Sequence, residues 1–307
     1  MITSVFSKSK PINFVIVFFI MVIAFTKANQ PFFKESMSFV TFVGHTILFF
    51  ACYFSILTFN FIVGKNSLTK NNHYQILLFG LFFLMFPKTT LDKDILFANF
   101  FVLLGLRRVL SLRTPNHTKN KLFDAAFWFG IAALFYFWAI LFFVLIFITL
   151  LLYTDNRIKN WIVPFVGLIT VFVLFTSISI VLYDDFFGLF NTSPAVSYNY
   201  NNYDQLQYLI AITVLFSFGV WSSIFFVKII KKKKKVLRPS FKVVFVTLII
   251  AFVISILAPQ KNGSEFLFLF APLSIVITNY VESIEEQWFK ELFLAILIVV
   301  PLGLLVL

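Results

Sequence analysis

Residues 122–153 read LFDAAFWFGIAALFYFWAILFFVLIFITLLLY, and past Asp124 the stretch holds no charged side chain. As one helix it would be about 48 Å long at 1.5 Å per residue, against a bilayer core of about 30 Å. The basic loops on either side decide between one crossing and two, because Lys and Arg accumulate in loops that stay on the cytoplasmic side. Lys8 and Lys10 start inside, Lys65 and Lys70 return inside, and Arg107, Arg108, Arg113, Lys119 and Lys121 precede the stretch on the same side. If 122–153 crosses once, the run Lys231, Lys232, Lys233, Lys234, Lys235 and Arg238 would have to be translocated. If it crosses twice, turning near Tyr136-Phe137-Trp138, that run stays inside and the acidic loop from Asp184 to Asp204 lands outside. The pattern therefore predicts a double crossing or a re-entrant pair.

Outward from this stretch, composition sets the class. Hydrophobic residues make up 60% of the 307 and charged residues 12%, with a mean hydropathy of +0.95. Soluble domains average about 45–50% apolar and about 25% charged, so this chain cannot build a water-facing surface. Apolar runs at 11–28, 38–64, 94–110, 159–183, 206–230, 239–258 and 288–307 are long enough to cross. Shorter ones lie at 74–87, ending at Pro87, and at 264–281, which contains Pro272. With 122–153 counted twice, the expectation is an all-α polytopic transmembrane bundle of about eleven spans. Its N-terminus is cytoplasmic, its C-terminus periplasmic, and 1–307 is a single integral membrane domain with no soluble domain. The location expected is a bacterial inner membrane.

Thr26-Lys27-Ala28 is a poor cleavage pattern, so the run from Phe14 to Phe25 is read as a retained first span. In the last inner loop Glu282, Glu285, Glu286 and Glu291 outnumber Lys290, but acids contribute little to orientation. The formal charge of +12 belongs to short inner loops, which argues against nucleic acid as a partner and for anionic lipid headgroups. Lys231–Lys235 with Arg238 is the candidate headgroup-binding run. The single cysteine, Cys52, falls mid-span, so neither a disulfide framework nor a cysteine metal site is expected. The 47 phenylalanines, beside many Lys, Asn and Ile, fit an AT-rich coding bias. No phosphate loop, dinucleotide fingerprint or His-Glu-x-x-His is present, and no cofactor or metal is expected.

Polar side chains within spans are few, and each must find a partner because an unpaired polar group in hydrocarbon is costly. They are His45 and Asn60 in the second span, Asn99 in the fourth and Asp124 at the inner mouth of the fifth. His45 could assist proton transfer or simply bond to a neighbouring helix. Asn60 and Asn99 fit inter-helix bonds, and Asp124 an ion pair near Arg107 and Arg108. The outer loops carry Lys34, Glu35, Lys88, Asp92, Lys93, Asp94, Asp184, Asp185, Tyr198, Tyr200, Tyr203, Asp204, Lys261 and Glu265. Carboxylates and tyrosines that converge would suit a sugar or lipid-phosphate headgroup, with an Asp as general base or metal ligand. Loops that never meet would be doing no more than solvating and anchoring the helix ends.

The segment from Leu122 to Tyr136, followed by a basic turn and Trp161-Ile162-Val163-Pro164-Phe165-Val166-Gly167, resembles a polytopic inner-membrane protein family of Flavobacterium and other Bacteroidota. With the late Ala271-Pro272 span, the organisation is also distantly similar to multi-span glycosyltransferases and polymerases that use polyprenyl-linked sugars. That likeness implies an outer-face site for a lipid-phosphate-linked sugar. Those enzymes place a catalytic acid in a substantial first outer loop. Here the loop is short and Glu35 is its one acid, so the likeness carries architecture alone. Two functional classes follow. One is a non-catalytic integral subunit of an envelope-assembly or export complex, with a membrane-protein partner. The other is an enzyme on a polyprenyl-phosphate glycolipid, with Glu35, Asp184, Asp185 or His45 as candidate catalytic groups. Transport ranks third, because no ionisable residue falls clearly at mid-span.

Overall fold

The computed structural model describes residues 2–30, 38–153, 157–188 and 194–306, and among these every regular element is helical. In chain order they are α1 (Ile2–Phe6), α2 (Pro11–Ala28), α3 (Phe39–Asn66), α4 (Tyr74–Met85), α5 (Lys93–Leu110) and α6 (Thr118–Phe135). After them come α7 (Phe143–Leu152), α8 (Ile158–Tyr183), α9 (Leu206–Lys232), α10 (Arg238–Leu257), α11 (Leu267–Ser283) and α12 (Gln287–Leu304), with short 3-10 turns between several. Among the described residues eight segments are long and apolar enough to cross a bilayer: α2, α3, 93–113, α8, α9, α10, 264–283 and α12. Three more fall short of that measure. Helix α4 would reach only about 18 Å, 137–152 is short, and α6 begins with Lys119, Lys121 and Asp124.

The chain divides into two compact units, Met1–Leu96 with Tyr198–Lys233 and Gln260–Leu307, and Phe97–Ser197 with Lys234–Pro259. The first is built around α4 and α11. Every residue of α4 is buried, and so is α11 from Leu267 to Val281. A helix apolar all round with no polar face belongs in an interior, and one too short to span is tolerated where protein covers its ends. Helices α2, α9, α11 and α12 pack on them. Phe79, Phe82 and Phe83 of α4 surround Phe270 of α11 at centroid distances of 5.9, 5.5 and 5.4 Å, and Phe59 of α3 meets Phe79 at 5.1 Å. Such tilted and edge-on pairs add about 0.5–1.5 kcal/mol each beyond burial.

In the second unit, residues 118–153 double back. Helix α6 ends at Phe135, Tyr136 leaves helical geometry at φ −144°, and 137–142 form a 3-10 turn into α7. Phe129 and Phe142 bring their rings within 6.0 Å; thirteen residues apart on a straight helix they would be about 20 Å apart. The ends of the hairpin lie together. Lys121 Nζ donates to the carbonyls of Ser111 and Thr114 at 2.8 Å. Tyr153, at the other end, lies 3.0 Å from Ser240 Oγ and within the field of Arg113.

Helix α8 then runs parallel to α6. Gly167 lies against Phe123 and Ala126, so close that a Cβ there would meet the Phe123 carbonyl oxygen at 2.8 Å, and Gly130 lies against Leu168 and Val171. Against α7 the order is reversed, Phe143 on Phe165 and Phe147 on Trp161. Two parallel helices with an antiparallel one between them require the intervening chain to return.

Candidate functional site

The first unit gathers its polar side chains at two opposite ends of α4 and α11, referred to below by Glu265 and His73. The Glu265 end begins where α4 stops. Pro87 cannot continue the helix ladder and opens a 3-10 turn, after which Asp92 caps α5 by accepting from the Ile95 N–H at 3.1 Å. The second oxygen of Asp92 accepts from Ser264 Oγ at 3.0 Å. Asn262 Oδ1 accepts from the Ser264 N–H at 3.0 Å. Glu265, fully buried, accepts from the Gly263 N–H at 2.9 Å. Gly263 holds φ +91°, where a side chain would also strike the Tyr208 ring. Tyr208 donates to the Asn262 carbonyl at 2.7 Å.

Above this knot Tyr200, Tyr203 and Tyr208 stack in sequence, 6.1 and 5.8 Å between centroids. Lys261 Nζ lies 5.2 Å from the Tyr200 centroid and Lys88 Nζ 5.2 Å from that of Tyr208. Lys261 is only 2% exposed, and that burial pushes its ammonium below the usual lysine range.

The His73 end joins the chain before α2, the α3–α4 loop and the exit of α11. His73 Nε2 lies 2.9 Å from Ser9 Oγ, and Nδ1 faces the Asn13 amide nitrogen at 3.1 Å. Asn13 Nδ2 can only donate, so Nδ1 accepts, which leaves the proton of a neutral imidazole on Nε2. Burial likewise holds His73 below the usual histidine value, with a backbone contact at Lys10 opposing. Glu282 Oε1 accepts from the Lys70 N–H at 2.7 Å and from Asn72 Nδ2 at 2.6 Å. Asn279 Nδ2 donates to the Leu68 carbonyl at 2.9 Å. A cavity of about 360 Å³ opens here, with Asn60, Lys70, His73 and Gln75 in its wall.

The candidate residues are distributed unevenly over this plan. Lys34 and Glu35 lie outside the described residues. Asp184 and Asp185 belong to the second unit and are exposed. Asp184 caps α8 in the left-handed region at φ +52°; Asp185 Oδ1 accepts from the Phe187 N–H at 3.3 Å and the Asp185 backbone carbonyl from Ser179 Oγ at 2.7 Å. His45 is half-buried with its ring edge toward Phe25. Asn60 accepts from Gln75 Nε2 at 3.2 Å, joining α3 to α4. Asn99 is buried, its Nδ2 without a hydrogen-bond partner among the described residues. Asp124 pairs with Arg108 at 2.9 Å. Lys231 and Lys232 close α9, Lys233 is half-buried near Glu282, Lys234 and Lys235 are exposed in the turn, and Arg238 opens α10. Among the described residues no three of His, Cys, Asp and Glu converge on one point as metal ligands would.

No local pattern in the sequence marks Ser264, Asn262, Gln75, Asn13 or His73, because the contacts that place them, with Asp92, Tyr208, Asn60 and one another, span 15 to 172 residues.

The helices and their buried polar knots define a multi-pass helical membrane protein. Within that class, a model for a family of unknown function, DUF6427, matches residues 1–306, and the chain belongs to that family. No curated protein and no solved structure matches it.

Proposed function

We propose that the protein is a non-catalytic integral subunit of an envelope-assembly or export complex in a bacterial inner membrane. It crosses eleven times, N-terminus in the cytoplasm and C-terminus in the periplasm. Orientation is supported by the first unit, where Lys8, Lys10, Lys65, Lys70 and Lys231–Lys233 all belong to the His73 end, as an inner face requires.

One observation carries the functional reading: the charged groups brought together at the Glu265 end are engaged by the chain itself, while the buried Tyr203 hydroxyl beside them meets no partner among the described residues. Glu265 holds a loop N–H, Asp92 caps a helix and ties down Ser264, and Lys261 is buried against a tyrosine. An acid/base or headgroup-binding set has to leave donors and acceptors for its substrate. Gentle purification from native membranes, with mass spectrometry of everything that co-elutes, tests this. A constant protein partner is the expected result; a retained polyprenyl-phosphate sugar and no constant partner would overturn it.

A second reading, an enzyme on a polyprenyl-phosphate-linked sugar, is favoured by the meeting of Asp92, Lys261 and Glu265 beneath three tyrosines. Under it Glu265→Gln abolishes glycan output while the protein still folds. Under the first reading that variant leaves output unchanged.

A further inference from the structure

The strap that joins α1 to α2 is fastened mainly through one side chain. Ser7, Lys8, Ser9 and Lys10 are all exposed, and the long-range hydrogen bonds of this segment converge on His73, which is buried. The His73 N–H donates to the Phe6 carbonyl at 3.0 Å. Its Nε2 lies 2.9 Å from Ser9 Oγ and its Nδ1 3.1 Å from Asn13 Nδ2. Asn13 is fully buried, and its Nδ2 also donates to the Lys8 carbonyl at 2.9 Å. A carbonyl can only accept, so the strap fixes which way the amide points, and its two N–H bonds serve Lys8 and His73. Ser9 and His73 also share the wall of the 360 Å³ cavity.

This arrangement suits only a neutral ring. An imidazolium donates from both nitrogens, which sets Nδ1–H against the Asn13 N–H and drives ring and amide apart. Asn13 Oδ1, buried and without a donor among the described residues, can take the new proton if the amide turns over. That turn aims the oxygen at the Lys8 carbonyl and breaks the tie to the strap. The charged groups at this end are Lys8 and Lys10 of the strap, Lys65 of α3, Lys70 of the next loop, Lys233 after α9, Glu282 of α11, and Lys290 and Glu291 of α12. Glu282 is taken up by the Lys70 N–H and Asn72, and Glu291 acts on Tyr74. Positive charge predominates, so a charged ring also repels the strap's two ammonium groups. Burial favours the neutral ring while the strap is down, with the Lys10 backbone opposing.

We propose that His73 is a proton-operated clasp: protonation of its ring frees the strap from Ser7 to Lys10 and widens the cavity whose wall Ser9 supplies, while buried Phe6 and α2 stay in place. A freed ring returns towards the ordinary histidine value of 6.5. The closed form is therefore favoured above that pH and is lost as pH falls below it. The inference does not depend on whether the protein is a complex subunit or an enzyme.

The test uses the full chain in phosphatidylcholine nanodiscs, spin-labelled through Lys10→Cys and Asn71→Cys, both at exposed positions, with Cys52→Ala to remove the native thiol. Electron paramagnetic resonance reads the distance between the labels from pH 7.5 to pH 5.0. The labels should lie close together at pH 7.5 and move apart at low pH, the open-to-closed ratio rising by up to about tenfold per pH unit, the limit for one proton. His73→Gln, which takes up no proton, should give one distance distribution at every pH. Asn13→Leu removes the tie to Lys8 and should be open already at pH 7.5, so it reports even if His73→Gln folds poorly. Labels that stay at one distance down to pH 5.0, a pH-driven opening that persists in folded His73→Gln, or a folded Asn13→Leu protein that is closed at pH 7.5 would each overturn the proposal.

Discussion

The two ends of the first unit are made of the same kinds of residue and are finished differently. At the Glu265 end Glu265 and Lys261 are buried and Asn262 is half-buried, Glu265 and Asn262 each hold a nearby backbone N–H, and Gly263 lies beneath Tyr208. At the His73 end the fastening is done by Glu282 and Asn279, and a cavity of about 360 Å³ opens among Ser67, Lys70, Asn72 and Gln75. Closed polar knots rigidify a fold.

Substitutions at the two ends should therefore differ in size. The largest loss is expected for Glu265→Ala, which leaves the Gly263 N–H buried and unpaired at about 1–3 kcal/mol. A melting curve in detergent should show it, and Glu265→Gln, which can still accept that bond, should recover most of the drop. Tyr208→Phe removes one bond to a loop carbonyl and should cost about 1 kcal/mol by the same assay. Gln75→Leu, at the open end, should cost less than about 1 kcal/mol, because it trades the Asn60 bond for relief of an unpaired oxygen. A drop as large as that of Glu265→Ala would mean the open end is structural after all.

The smallest effect concerns pH. Because burial lowers the pKa of His73 in the folded protein, the unfolded chain takes up the proton first as pH falls through the usual value of 6.5. The contribution of His73 is full above that pH and declines below it. Melting temperature should fall between pH 7.5 and 5.5, and His73→Gln should flatten that fall. An equal fall in the variant would assign it to other groups.

Much of the scaffold could be read in advance. The span predicted at 11–28 is α2 to the residue. Pro87 does end the helix before it, and 122–153 doubles back near Tyr136. What the residues could not convey is which helix faces which. Segments such as α4 and α11 are apolar on every side, so periodicity points nowhere. The eight segments long and apolar enough to cross omit α4, whose short length makes sense once neighbours cover it. The site suffered most from this. Lys88, Asp92, Lys261 and Glu265 were visible as outer-loop charges beside Asp184 and Asp185, but Asp92 meets Ser264 from 172 residues away. Gln75 reads as the start of a span, and its bond to Asn60 follows only from how α3 and α4 are placed.

The hairpin at 118–153 also bears on how the protein is made. Its tip, Tyr136-Phe137-Trp138, is apolar and aromatic, and from Ala125 to Tyr153 there is no ionised side chain. On insertion scales a charged residue at mid-membrane costs about 2.5–3.5 kcal/mol, and this tip would bring none of that cost into a bilayer. Its base, by contrast, is basic on both arms, with Arg107, Arg108, Lys119 and Lys121 before it and Arg157 and Lys159 after it, so the charge of the hairpin is confined to one end. Trp138, donating to the Ala195 carbonyl at 3.0 Å, latches the tip to a loop synthesised later.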